Sequence, residues 1–392
     1  MSRRLGIGLL GVGWMGSLHT RSLRRLPDHY PDLATGCDFV VAADPSPGGR
    51  RRAVEELGYE RAEQDWRAVV EDPRVDLVSV TAPNAFHREM SLAVIHAGKA
   101  LWVEKPVGRG VAETAEVAGA AARAATISAV GFNYRNVPLV EHAVALIARG
   151  TIGRLTGFRG WFLGDYASNP WGPLNWRFSR AGAGSGALGD LMCHVVDLAA
   201  TLVGPLQEVV ASTDVVVPRR PLPTAGDEHF STLDSPVEPP GDDVPTGPVE
   251  NEDSARALVR FTGGASGFLE VGRAVVGPHC SLGFEVYGSA GSLRWDFERM
   301  NEMGLYRADT PGDAGYRRVL ARPGHGEYGR FQPGPAIAMG FDDLKVVEAA
   351  RLVRAVVSAE KCTPGLPEAL AAARALDAME RSALSRAWEP VG

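Results

Sequence analysis

Cysteine is scarce. The four in this chain of 392 residues (Cys37, Cys193, Cys280 and Cys362) lie far apart. That spacing offers neither a zinc site nor a disulfide framework, and no other clustered metal ligands stand out. No stretch approaches the roughly 20 consecutive apolar residues that cross a bilayer. A basic excess is missing too: the formal net charge is −6, which gives no electrostatic footprint for nucleic acid. Ser2-Arg3-Arg4 ahead of an apolar run resembles a twin-arginine leader, but glycines interrupt the run and no small-residue cleavage site follows. A reducing cytoplasm is therefore expected, with no membrane or nucleic-acid partner. What remains is an ordinary globular composition, 45% hydrophobic and 22% charged, at a length suited to two domains.

The first third alternates strand and helix. Leu5 to Leu10 reads as a buried parallel strand, and Gly11-Val12-Gly13-Trp14-Met15-Gly16 follows it, ahead of a helix expected over Ser17 to Leu26. At a strand-to-helix turn this spacing fits a dinucleotide. Gly11 allows the tight turn, Gly13 lets backbone approach a pyrophosphate, and Gly16 permits close packing of helix on strand. The free N–H groups of the helix start attract the phosphates. A second strand, Phe39 to Ala43, delivers Asp44, whose carboxylate suits ribose hydroxyls and repels a 2′-phosphate, so NAD is favoured. Arg50, Arg51 and Arg52 follow closely and keep NADP open. A third strand, Val75 to Thr81, ends at Ala82-Pro83-Asn84, with His87 at the start of the next helix. A fourth, Leu101 to Val103, delivers Glu104-Lys105-Pro106. Both ends lie at the carboxyl edge, where open α/β sheets hold ligands. These residues are the candidate cofactor contacts of an expected Rossmann domain over residues 1–131.

Further along, Gly186-Ala187-Leu188-Gly189-Asp190 runs into His194. A spacing of four on a helix would put the carboxylate and the imidazole on one face. Oxidation of a carbinol needs a base for the hydroxyl proton and positive charge beside the oxygen. Lys105 fits the charge and His194 the base, with Asp190 bonding a neighbouring hydroxyl; in the alternative Lys105 is itself the base, and sequence leaves the two open. Tyr134, Arg135, Tyr166, Trp176 and Arg177 are candidate substrate contacts, aromatic faces for the C–H side of a ring and polar groups for its hydroxyls. Hairpins are expected around Gly263-Gly264 and Gly288 to Gly291. The stretch from Pro218 to Asp253 is rich in proline and acid, too polar for core, and reads as a long excursion.

These motifs, in this order, resemble the Gfo/Idh/MocA oxidoreductase family: Gly11 to Gly16, Ala82-Pro83-Asn84 with His87, Glu104-Lys105-Pro106, Gly131-Phe132-Asn133-Tyr134-Arg135 with Pro138, and Gly186 through His194 to Asp197. The resemblance implies an α/β fold in which a Rossmann domain precedes an α+β domain with a large, mainly antiparallel sheet over residues 132–392. It implies a homodimer or homotetramer through that sheet, and hydride transfer between nicotinamide and a sugar, glycoside or cyclitol. It also implies a cis Lys105–Pro106 peptide. Trp171 with Trp176-Arg177-Phe178, and Asp296 through Glu302, resemble a branch of the family that contains levoglucosan dehydrogenase. A keto-sugar reductase, a redox-cycling glycosidase using held NAD, and a nucleotide-sensing regulator on the same fold stay as alternatives.

Overall fold

The computed structural model describes residues 4–33, 35–223, 244–309 and 315–392. The chain forms two compact units, one of residues 1–136 and 327–370, the other of residues 137–326 and 371–392. Residues 327–370, expected from sequence within the second domain, thus return to the first unit. Their apolar face explains why: Val346, Ala349, Ala350, Leu352 and Val353 are fully buried against Ile7, Leu77 and Trp102.

In the first unit, β1 (Leu5–Leu10), β2 (Cys37–Ala43), β3 (Arg61–Glu63), β4 (Leu77–Val80), β5 (Ala100–Val103) and β6 (Ser128–Val130) form one sheet in the order β3-β2-β1-β4-β5-β6. Every pairing is parallel. β1 and β4 are buried at every residue, as strands covered on both faces must be, so they read as unbroken apolar runs. Helices Trp14–Arg24 and Asn84–His96 start at the carboxyl ends of β1 and β4. That edge carries the motifs.

The second unit is built on nine strands. β7 (Leu155–Gly164), β8 (Leu206–Asp214), β11 (Ser254–Phe261), β12 (Ser266–Gly272), β13 (Cys280–Gly288), β14 (Gly291–Asp296), β15 (Glu302–Arg307), β16 (Arg317–Leu320) and β17 (Glu389–Pro390) run in the order β16-β15-β14-β13-β7-β12-β11-β8-β17. Only β7 and β12 pair parallel, and both expected hairpins are present. Along β11, Ala255, Ala257, Val259 and Phe261 are buried while Arg256, Leu258 and Arg260 are exposed. This period of two marks a sheet with one covered face. Helix Cys193–Leu202 lies on the covered face against β7 and β13. Two short strands, β9 (Arg219–Pro221) and β10 (Thr246–Pro248), form a separate ribbon.

The Pro218–Asp253 stretch departs from expectation. Residues 224–243 lie outside the described residues, but both flanks are core: Arg220, Asn251, Glu252 and Asp253 are all buried. Polar residues reach the interior here because they satisfy one another. Arg273 Nε donates to Asp253 Oδ1 at 2.8 Å, with both side chains at 1% exposure or less.

A second buried charge network holds the first unit's returning helix, Phe341–Ser358, to the sheet. Lys345 Nζ lies 2.6 Å from Glu104 Oε1 and 3.1 Å from Glu348 Oε1. Trp102 Nε1 donates to Glu348 Oε1. His19 sits 3.0 Å from Glu104 through Nε2 and 2.6 Å from Ser79 Oγ through Nδ1. An ionised carboxylate only accepts, so Nε2 carries the proton and Nδ1 accepts from the serine hydroxyl. Burial pushes the imidazole down to about 4, which keeps it neutral. Burial also raises Glu348, to about 7, against the pull of the Lys345 it shares with Glu104.

The sign of the resulting pH dependence follows from linkage. A carboxyl whose folded pKa is raised contributes fully below its unfolded value and loses that contribution as pH rises through the folded one. Glu348→Gln should therefore gain melting temperature relative to the parent between about pH 4.5 and 7 and hold a constant difference above that. The opposite-signed contribution of His19 is common to both proteins and cancels. Parallel thermal melts across pH 4–8.5 check this; a difference independent of pH would refute it.

Candidate active site

Gly11 follows β1 with φ +92°, a left-handed conformation open to glycine. A Cβ on Gly16 would stand 2.2 Å from Gly11 O, so helix and turn meet only because Gly16 lacks one. A Cβ on Gly13 would meet no atom within 4 Å. That leaves the concave side of the turn accessible to a pyrophosphate backbone. Trp14 is 59% exposed and stacks on Phe341 at 5.6 Å; Met15 is half-buried beside it. Asp44 ends β2, where its Oδ2 accepts from Val12 N at 2.8 Å. Its Oδ1 accepts from the Ser46 amide and hydroxyl at 2.9 and 2.7 Å. Two of the three neighbouring arginines are otherwise employed: Arg50 donates to the carbonyls of Asp44 and Pro45 at 2.9 Å, and Arg52 to that of Val12, while Arg51 is exposed. A glycine cradle, a strand-end carboxylate and a helix N-terminus fit NAD.

Ala82 and Pro83 follow β4, and Asn84 opens the next helix. His87 is buried, with Nδ1 2.7 Å from Pro106 O and Nε2 2.7 Å from Ala82 O. The two carbonyls favour the doubly protonated ring, but burial is the larger influence and lowers its pKa. A neutral imidazole carries one N–H, so it donates to one of these two carbonyls, beyond the end of β4 or of β5, while its other nitrogen faces the second. The Lys105–Pro106 peptide is cis. Glu104 is buried and half-buried Lys105 succeeds it. A Cβ on Gly131 would lie 2.5 Å from the Glu104 carboxylate, which explains the glycine that opens the 131–135 motif. Tyr134 and Arg135 occupy the turn Asn133–Asn136, and the Tyr134 ring lies 6.1 Å from that of Phe341.

On the second unit, Asp190 and His194 do not share one regular helix. Leu188–Met192 is a π-turn that passes into the α-helix only at Cys193. Such a turn carries one extra residue and changes the face each side chain takes. Glu252 holds its start: Leu188 N donates to Glu252 Oε1, and Ala187 N to Glu252 O, both at 2.9 Å. Tyr166 donates its hydroxyl to Asp190 Oδ2 at 2.6 Å. Burial and the adjacent Asp190 charge raise the phenol well above its ordinary pKa, so it remains a donor. His194 is buried, its ring 6.0 Å from Phe162. Trp176 and Arg177 pair through a cation–π contact at 4.3 Å.

The segment carrying Tyr166, Trp176 and Arg177 hangs from two buried arginines. Arg220 donates to the carbonyls of Asn169 and Ala167 at 2.7 and 2.5 Å. Arg273 donates to Arg177 O at 3.1 Å and to Asn251 Oδ1 at 2.8 Å. Phe178 lies between the two guanidiniums at 4.2 and 4.6 Å. None of Arg220, Asn251, Glu252, Asp253 or Arg273 was expected from sequence; nor were His19, Lys345 and Glu348. The one local signal was a run of three polar residues, Asn251 to Asp253, leading directly into a buried strand.

Comparison with known proteins identifies the family. Residues 5–132 match the model of an oxidoreductase family with an NAD-binding Rossmann fold, and residues 140–294 the GFO/IDH/MocA C-terminal domain. Levoglucosan dehydrogenase of Pseudarthrobacter phenanthrenivorans is 33% identical over 99% of this chain and 98% of its own length. Myo-inositol 2-dehydrogenase of Thermotoga maritima is 26% identical over 79% of this chain and 80% of its own. A solved levoglucosan dehydrogenase in complex with NADH and levoglucosan superposes with a TM-score of 0.91 at 31% identity, covering both chains completely. No helix among the described residues is long and apolar enough to cross a membrane. The chain belongs to the Gfo/Idh/MocA oxidoreductase family, with an NAD-binding Rossmann domain ahead of that family's C-terminal domain.

Proposed function

We propose that this chain is an NAD-dependent dehydrogenase acting on one CH–OH carbon of a sugar, anhydrosugar or cyclitol. The observation that carries this reading is the Tyr166–Asp190 pair, a carboxylate fixed by a buried phenol on the turn that runs into His194. The similarity to levoglucosan and inositol dehydrogenases supports the substrate class. Gly11, Gly13, Trp14, Met15 and Gly16 would hold the dinucleotide phosphates, Asp44 its ribose, and Ala82, Pro83, Asn84, Glu104, Lys105 and Pro106 the edge toward the nicotinamide. His87 lies buried at that edge, between the carbonyls of Ala82 and Pro106. Bound NAD supplies the hydride acceptor.

We assign the proton-accepting role to His194 and the positive charge at the reacting oxygen to Lys105, because an ammonium has no lone pair with which to take a proton. Asp190 orients the sugar by accepting from a neighbouring hydroxyl, while Tyr166 keeps the carboxylate in place. Tyr134, Arg135, Trp176 and Arg177 contribute the stacking faces and hydroxyl contacts. We place the protein in a reducing cytoplasm, which four widely spaced cysteines suit. The open face of the nine-stranded sheet pairs Arg256 with Glu270 at 3.0 Å and leaves Leu258 51% exposed. We assign that face to self-association as a dimer or tetramer.

NADH formation with levoglucosan, free hexoses, alkyl glucosides and inositols tests the activity, and net cofactor reduction separates it from redox-cycling hydrolysis. Lys105→Ala and His194→Ala should each lower kcat by about 10²–10⁴-fold while NADH affinity, read by fluorescence titration, survives. Near-normal turnover in either would overturn that residue's role. Asp44→Ala should cut the NAD-to-NADP ratio of kcat/KM by roughly tenfold or more, the worth of a hydrogen bond to a charged group. An unchanged ratio would exclude the ribose role.

A further inference from the structure

The chain has four lysines, Lys99, Lys105, Lys345 and Lys361, and otherwise takes its cations from arginine. One is the proposed catalytic ammonium. Another, Lys345, has no exposed surface and lies 241 residues from Glu104 in sequence, on the helix Phe341–Ser358. It is seated on the residue immediately before Lys105.

A buried ion pair is a poor stabilising device, since well-packed apolar replacements are often as stable or more so; what it supplies is a defined geometry. The geometry here is specific. Lys345 Nζ meets Glu104 Oε1 at 2.6 Å and both Glu348 oxygens at 3.1 and 3.3 Å. Three rotatable donors on a compact head suit three acceptor atoms in this way, whereas the flat guanidinium fork of arginine does not. His19, Glu104 and Glu348 lie close enough to hold a metal ion, but the cation among them is the ammonium of Lys345. Glu104 also accepts from His19 at 3.0 Å and abuts Gly131. Beyond Lys105, the Pro106 carbonyl meets His87 at 2.7 Å. The residues on both sides of Lys105, Glu104 and Pro106, are therefore each in contact with a buried side chain. Glu104 directly precedes Lys105, so holding its carboxylate inside restricts the backbone from which Lys105 departs.

We propose that Lys345 is a positioning residue for hydride transfer: seated on Glu104, its ammonium fixes the backbone that presents Lys105. This rests on the role given to Lys105 above. Glu348 is the second anchor of Lys345, and His19 the neutral donor that completes the Glu104 contacts.

The test compares Lys345→Met, Glu104→Gln, the Glu104→Gln/Lys345→Met double variant and Lys105→Ala. Rates are taken as NADH formation from levoglucosan and NAD across pH 6–9. Lys345→Met should lose about tenfold or more in kcat, the scale of a misplaced catalytic group, while NADH affinity holds. The loss should shrink toward low pH, because Glu104 without its counter-ion takes up a proton and the orphaned buried charge disappears. The double variant has no buried charge to orphan, so it should recover most of the loss and lack the added pH dependence. Retained turnover in Lys345→Met, or a double variant no better than the single, overturns the proposal. Retained turnover in Lys105→Ala would instead overturn the reading beneath it.

A measurement independent of substrate covers an inactive panel or an unstable Lys345→Met. In Glu104→Gln the pair Lys345–Glu348 persists. Acetylation of the folded protein by limiting N-hydroxysuccinimidyl acetate, read by peptide mass spectrometry, gives the rate at Lys105 relative to Lys361. Loss of the adjacent anchor and charge should raise that ratio about threefold or more in Glu104→Gln; an unchanged ratio overturns the proposal.

Discussion

Glu104 takes a negative charge into the interior at the end of a fully buried strand, and much of the first unit is arranged around that charge. An ionised group without a partner there costs several kcal/mol, roughly 3–5 when one member of a buried pair is removed. His19, Lys345 and the space left by Gly131 are the terms on which it is tolerated. Two contributions to holding the returning helix can be ranked by size. Val346, Leu352 and Val353 are fully buried, at about 1.5–3 kcal/mol for each such side chain, whereas the net value of the ion pair lies near zero. Apolar burial brings the helix to the sheet; the ion pair fixes its register.

The second unit meets the same constraint differently. Arg273 pairs with the one carboxylate of Asp253, and the charge of Arg220 is spread over main-chain carbonyls and the face of Phe178. Burial pushes the Arg220 pKa down to about 10, still far above neutrality, so the guanidinium stays charged. Carbonyls are good partners here because they belong to an irregular segment with no ladder to satisfy them. The segment from Ala167 to Arg177 is held by the buried side chains of Arg220 and Arg273.

Such distant ties explain which parts were legible in sequence. Strands such as β1 and β4 announce themselves by unbroken apolar runs, and the glycine turn by its spacing after one of them; both signals are local. The pairing of Glu104 with Lys345 spans 241 residues, and no periodicity connects a strand end with one position on a helix near the other end of the chain. For the same reason the 327–370 segment was placed in the wrong unit: its helical pattern says that one face is buried, not against which sheet. Asp190 and His194 were visible as a pair, yet the spacing of four implied an α-helical face, and the extra residue of the π-turn has no mark in residue type alone. Asn251, Glu252 and Asp253 read as too polar for core because polarity was weighed residue by residue. Inside a protein it is the satisfied pair that counts.

The arginines beside Asp44 show how such commitments decide chemistry. By composition alone, three successive arginines next to a strand-end carboxylate leave the cofactor open, since guanidinium is the natural partner of a 2′-phosphate. In the folded chain Arg50 spans the carbonyls of Asp44 and Pro45, and Arg52 reaches that of Val12 in the glycine turn. Recruiting either to a phosphate would break hydrogen bonds from a charged donor, each worth about 1.5–3 kcal/mol, and would loosen the turn that the phosphates of the same cofactor need. Asp44 meanwhile draws Val12 N and Ser46 toward itself, so the carboxylate and the turn are shaped together. Preference for NAD then comes less from the presence of an acid than from the prior employment of the bases around it.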